Sequence, residues 1–234
     1  MTSPLRRATL AAIAVFASTS ALSVGCANMN TARPLDPGDH ALGATFGGPT
    51  VLVGVPVPLP NLILGGRSGL VTLADRNLEI DYGLNATALA FGITQAHVGA
   101  SYALLHQSGA LPALTATNRL YVATNPLSLD GRVEGSLAFW GADQIELTAS
   151  WAAGPHMVWL SLAQYFDLLA PDLILTPALG YAIDLGGPGG FGLQFESRWY
   201  GVTSIPEVEA VRWWPTNGDG PGSLGFSIGV SYAL

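Results

Sequence analysis

The chain has 234 residues, of which 49% are hydrophobic and only 11% charged, against roughly 25% charge in an ordinary soluble domain. All nine basic residues are Arg, and with Arg6 and Arg7 assigned to an export segment, seven remain against sixteen Asp and Glu. That acidic balance excludes nucleic acid as a natural partner, because phosphates demand clustered positive charge. After residue 25, polar residues and glycines interrupt every apolar run before it reaches the roughly 18 to 20 residues that a spanning helix needs. The apolar excess therefore belongs either to a very large core or to many short strands that show alternate residues to lipid.

Met1–Arg7, with Arg6 and Arg7, is a positive n-region, and Ala8–Val24 is an apolar stretch too short for a comfortable span, so residues 1–25 read as a signal peptide. The stretch ends in Leu22-Ser23-Val24-Gly25-Cys26, which resembles the lipobox of bacterial lipoproteins. The resemblance implies acylation of Cys26 as the mature N-terminus, and Ala27 rather than Asp after it implies sorting to the outer membrane. Ser23 stands where Leu is favoured and Leu22 lies one place early, so an ordinary secretory signal cleaved nearby is the other reading. Cys26 is the only cysteine, which excludes a disulfide framework.

Residues 26–39, rich in Asn, Pro and Asp, have no periodicity and read as a periplasmic tether. From His40 the chain breaks into segments of about ten residues with period-two alternation, the length of a tilted barrel strand. Strands are predicted at His40–Gly47, Asn61–Arg67, Asn77–Asn85, Ala96–Leu105, Ala113–Ala123, Gln144–Trp151, His156–Phe166, Leu173–Leu185, Phe191–Tyr200 and Ser223–Tyr232. In the last, Leu224, Phe226, Ile228, Val230 and Tyr232 oppose Ser223, Gly225, Ser227, Gly229 and Ser231. In Asn77–Asn85, Leu78, Ile80, Tyr82 and Leu84 oppose Glu79, Asp81, Gly83 and Asn85. Charges fall on one face only, as a lumen requires. Pro177 predicts a bulge. Longer connections, beginning with Gly48–Pro60, alternate with short ones, beginning with Ser68–Arg76, with Leu168–Asp172 the one short outer loop, and this puts both termini on the short-turn side. Trp151, Trp159 and Tyr232 are expected at the rim on that side, and Tyr165, Trp199 and Phe226 at the other.

The pattern over His40–Leu234 resembles small bacterial outer-membrane β-barrels. That implies an all-β, antiparallel up-and-down transmembrane barrel of about ten strands, located in the outer membrane with both termini in the periplasm. Outer-membrane lipids and the barrel assembly machinery are the implied partners. The final strand is similar to the assembly signal of that class, which usually ends on an aromatic residue, whereas here Ala233 and Leu234 follow Tyr232.

Four His, at 40, 97, 106 and 156, form no metal motif, so neither metal nor cofactor is expected. Gly186-Gly187-Pro188-Gly189-Gly190 lacks the Lys and helix of a phosphate loop and reads as a hairpin turn. His97 and Ser101 share a face but lie about 13 Å apart along the strand, too far for a nucleophile and its base. A register closing near 86–95 sets Asp81 opposite Ser101 and Asn85 opposite His97. The charges Arg67, Glu79, Asp81, His97, Arg119, Glu146, Asp184, Glu196 and Arg198 are expected to form a lumen network. Within it, Arg67 faces Glu79, and Arg198 reaches over Gly225 and Ser227 toward Glu146, Asp184 or Glu196. Trp213 and Trp214, in a long loop with Glu207, Glu209 and Arg212, are candidates for ligand or partner contact, with a place in the lipid interface or a cap over the barrel mouth as the preferred reading. The expected function is a non-enzymatic outer-membrane barrel with a structural, surface-interaction or narrow-channel role. A barrel enzyme acting on lipid A or peptides, and a soluble lipid-anchored barrel, stay open beside it.

Overall fold

A computed structural model describes residues 31–52, 55–125, 139–168, 173–186, 190–203, 213–216 and 220–234. Segments of alternating apolar and small or polar residues form the strands, because successive side chains of extended backbone point to opposite faces. They are β1 (His40–Leu52), β2 (Pro56–Pro58), β3 (Asn61–Leu73), β4 (Arg76–Asn85), β5 (Thr94–Leu105), β6 (Ala113–Thr124), β7 (Phe139–Ala153), β8 (His156–Asp167), β9 (Ile174–Asp184), β10 (Phe191–Tyr200) and β11 (Ser223–Ala233). A single helical turn, α1 (Ala86–Ala90), joins β4 to β5.

The strands form one eleven-stranded antiparallel sheet in which β1 also pairs with β11. β2 pairs only with β1, beyond the ring, so ten staves make a closed up-and-down barrel with no free edge. The seam runs in register from Ala41↔Ala233 to Pro49↔Gly225. At the end carrying both His40 and Ala233, β3–β4 and β7–β8 turn within two residues, Ala74-Asp75 and Gly154-Pro155. We call this the terminal end. α1 and the longest connections lie at the far end.

The barrel departs from expectation in three places. Pro177 stays in register with Leu162 and makes no bulge, because β10 pairs with β9 only from Ala178 onward and needs no N–H from the proline. The bulges fall instead at Gly69/Val71 and Ala103/Leu105, beside terminal-end connections. The β4–β5 register is Glu79↔Ser101, Asp81↔Gly99 and Gly83↔His97, two residues from the expected pairing. The helical turn α1, capped by the Asn85 carboxamide oxygen accepting from Ala88 N (3.0 Å), closes that connection earlier than an open loop does. Finally, residues 31–36 are no free tether: they enter the barrel from an exposed Asp36 and are buried at Thr31 and Ala32, as described below.

Every stave contributes apolar side chains to the outside, among them Phe46, Leu64, Tyr82, Val98, Leu120, Leu147, Leu160, Leu179, Phe195 and Ile228. Trp151, Trp199, Phe226 and Tyr232 face outward too, but Trp159 and Tyr165 do not. On β8 the outward positions are Val158, Leu160 and Leu162, so the intervening Trp159 and Tyr165 point inward and are buried. Among the described residues, the exterior carries one carboxylate within its strands, Asp143, which accepts from Asn118 Nδ2 at 2.8 Å.

Candidate functional site in the barrel lumen

Ten staves enclose a space that side chains can nearly fill. Its far half is aromatic: Tyr121, Trp140 and Tyr165 pack with Ala123, Ala142 and Ala163. Towards the middle it becomes ionic. Buried polar groups demand partners, and each charged lumen residue is placed by strand register to supply one.

The chain of ion pairs starts on β3. The Cα partner of Arg67 is Asp81, but its guanidinium reaches diagonally to Glu79 in a two-pronged contact, Nε–Oε1 2.8 Å and Nη2–Oε2 2.7 Å. Asp81 takes a different cation: Arg119 Nε donates to its Oδ1 at 2.8 Å, and His97 Nε2 lies 3.3 Å from the same oxygen. Glu146 then bridges two arginines, Arg119 Nη1 at 3.3 Å and Arg198 Nη2 at 3.4 Å. Arg198 closes on Glu196 through Nε at 2.9 Å and on the Tyr165 hydroxyl through Nη1 at 3.0 Å. Glu79, Arg119, Glu146 and Arg198 are all at most 2% exposed.

Two glycines make these reaches possible. Asp81, Gly99 and Arg119 stand abreast on β4, β5 and β6. A Cβ on Gly99 would lie 2.5 Å from Arg119 Cγ and 2.6 Å from Asp81 Oδ2, so only glycine lets the ion pair cross the intervening strand. Trp159, Gly180 and Glu196 stand abreast in the same way on β8, β9 and β10. There the indole lies flat over Gly180, and Nε1 donates to Glu196 Oε2 at 3.3 Å. A Cβ on Gly180 would fall 1.9 Å from Trp159 Cζ2.

Two expected members behave differently. Arg198 turns away from Gly225 and Ser227 on β11, because its acceptors Glu196, Glu146 and Tyr165 all lie on the β7, β8 and β10 side. Asp184 stands outside the network: Arg198 is level with Ala178 on β9, and six residues further along the strand is about 20 Å. Asp184 lies exposed at the terminal mouth, where its Oδ1 accepts from Gly186 N at 3.0 Å. Ser101 is held by the Thr117 hydroxyl at 2.9 Å, while His97 belongs to Asp81, so these two residues do not pair.

The two loop tryptophans lie at the far mouth, where a cap is the expected alternative to ligand binding. Trp213 is 1% exposed and bridges to Val51, while Trp214 N donates to Thr50 O at 2.9 Å and its ring lies 6.4 Å from Phe226. These backbone bonds draw Trp213 into the far mouth as part of its cap, leaving it no surface for a ligand. Cys26, Glu207, Glu209 and Arg212 lie outside the described residues.

The sequence reading missed the segment before β1, which enters from the terminal end and deepens towards Thr31. Thr31 Oγ1 donates to Glu79 Oε1 (3.3 Å) and accepts from Arg119 Nη2 (3.2 Å). The Ala32 carbonyl accepts from Thr115 and Ser150, the Arg33 carbonyl accepts from Arg67 Nη2 at 2.7 Å, and Leu35 N donates to Glu79 Oε2 at 2.8 Å. It also missed Gln144 and Tyr121, which extend the network: Tyr121 OH donates to Gln144 Oε1 at 2.5 Å, and Gln144 Nε2 donates to Glu146 Oε2 at 2.8 Å. Their signal was positional, since both share strand parity with Arg119 and Glu146.

No protein-family model and no curated protein matches the chain. Among solved structures, an anion-selective porin from Comamonas acidovorans is similar with a TM-score of 0.33 and 15% identity over 86% of this chain and 57% of that one. OmpT, an outer membrane protein of Vibrio cholerae folded in vitro, is similar with a TM-score of 0.33 and 12% identity over 86% of this chain and 62% of that one. This chain thus spans less than two thirds of the length of either.

Proposed function

We propose that the protein is an integral outer-membrane β-barrel with a plugged lumen and a structural or surface-interaction role. The observation that carries this reading is the inversion of polarity across the wall. All ten staves turn apolar side chains outward, while the ion pairs Arg67–Glu79, Arg119–Asp81 and Arg198–Glu196 lie inside. A soluble barrel does the reverse, and contiguous apolar surface on this scale belongs in lipid. The short terminal-end turns favour both termini in the periplasm, and the export signal at residues 1–25 supplies the route. On this reading outer-membrane lipids surround the wall, and the assembly machinery engages β11. An acylated Cys26 adds an anchor to a protein that the barrel alone already holds in the membrane.

Two measurements test this. An integral barrel stays with membranes after its N-terminal tether is cut, whereas a lipid-anchored soluble barrel is released. In a planar bilayer, refolded protein whose heat-dependent gel mobility verifies the barrel is expected to give no discrete openings, because Arg119, Glu146, Arg198 and Trp159 fill the cross-section. Reproducible openings would refute the plugged state and restore the channel reading.

A further inference from the structure

The residues ahead of β1 are held the way a barrel would hold a peptide ligand. Thr31–Asp36 form no strand with the wall. Their bonds run instead to wall side chains, and four of these bonds engage the segment's main chain: Thr115 and Ser150 on the Ala32 carbonyl, Arg67 on the Arg33 carbonyl, and Glu79 on Leu35 N. Main-chain recognition supplies affinity, and side-chain contacts supply selectivity. The selective contact is Arg33, whose Nε donates to Ser150 Oγ at 3.3 Å and whose Nη2 donates to Gln107 Oε1.

Charge points the same way. The inner wall carries buried Arg119 and Arg198 and half-buried Arg67 against buried Glu79, Asp81, Glu146 and Glu196, a surplus of one carboxylate among these described residues. Arg33 is the fourth cation, and it arrives with the segment. The segment also occupies only one side of the mouth. All its wall partners lie from β3 to β7, and beside it a cavity of about 550 Å³ separates Ala32, Arg33 and Leu35 from Ile183, Leu193 and Ser231. A second chain thus has a way in from the terminal end.

We propose that the lumen mouth is a binding site for an extended, arginine-bearing peptide, and that Thr31–Asp36 occupies it in cis as a displaceable insert. Its ligand class is a short segment with free main-chain carbonyls, one N–H to meet Glu79 and a guanidinium to meet Ser150 and Gln107.

The test uses the whole mature chain, with a protease site inserted between Pro37 and Gly38. Both residues are exposed, and Gly38 is kept because its φ of +88° favours glycine. The protein is folded in detergent first and then cut. A fluorophore-labelled peptide of residues 31–36 is expected to exchange into the cut barrel saturably, and its Arg33→Ala version to need about tenfold higher concentration or more, the loss of hydrogen bonds from a charged group. Failure of the peptide to enter, or equal uptake of the two peptides, overturns the proposal. A second variant removes reliance on cutting. Uncut chain carrying Arg33→Ala is expected to admit the labelled wild-type peptide, and exclusion of that peptide counts against displacement. Both readouts work in micelles, so they stand apart from the membrane assignment.

Discussion

Gly180→Ala is the sharpest test of how the lumen is built. The added Cβ would sit 1.9 Å from Trp159 Cζ2, where carbon atoms rest at about 3.5 to 4.0 Å, so the ring must rise by about 1.5 to 2 Å. Trp159 is 0% exposed, and overpacking of this kind costs about 1–3 kcal/mol. The movement also breaks the 3.3 Å bond from Nε1 to Glu196, and a hydrogen bond to a charged group is worth about 1.5–3 kcal/mol. The total is a loss of about 2.5–6 kcal/mol, read as a lower urea midpoint for the refolded barrel. Specificity comes from a double-mutant cycle. With Trp159→Leu in place the short side chain leaves room for the methyl, so Gly180→Ala is expected to cost far less than in the wild type. An equal cost in both backgrounds would falsify the idea that Gly180 is glycine for the sake of the indole.

Other perturbations address other layers. Arg119→Met leaves Asp81 with His97 alone and takes one of two guanidinium partners from Glu146, and is expected to destabilise by about 3–5 kcal/mol, measured by the same unfolding transition; a change below about 1 kcal/mol would show that the pairs are not coupled as drawn. Arg67→Ala and Glu79→Ala each break the two-pronged contact, and their combination is expected to cost less than the sum of the singles. Strict additivity would contradict direct pairing. On the exterior, replacing Asn118 and Asp143 together by Leu removes both partners of one hydrogen bond and is expected to be neutral or stabilising. A marked loss of stability would place that pair against something other than lipid.

The strand ladder was legible because period-two alternation is a backbone property that survives any tertiary context. β11, with its Leu, Phe, Ile, Val and Tyr on one face, shows it most clearly, and closure follows once such segments are numerous. Parity also separated inward charge from outward apolar residues. Parity does not fix register, however, since a shift of two residues preserves every face; Asp81 was therefore assigned to Ser101 although Gly99 is its neighbour. Nor does it tell a large lumen aromatic from a lipid-facing one: only Leu160 and Leu162, on the positions between, settle Trp159. The insert was illegible for a different reason. Its main chain is held by wall side chains rather than by a ladder, so residues 31–36 have no periodicity to read, and their proline and aspartate imitate a linker.

The buried position of Thr31 makes the insert and the C-terminus unequal as points of attachment. Leu234 is 68% exposed at the terminal end, while Thr31 is 0% exposed and bonded to Arg119. A bulky group attached within residues 31–33 meets the wall and competes with the inserted state, whereas the same group after Leu234 leaves it intact. Affinity handles, reporters and display fusions are therefore best placed at the C-terminus, and a label on the insert becomes a means of holding the mouth open.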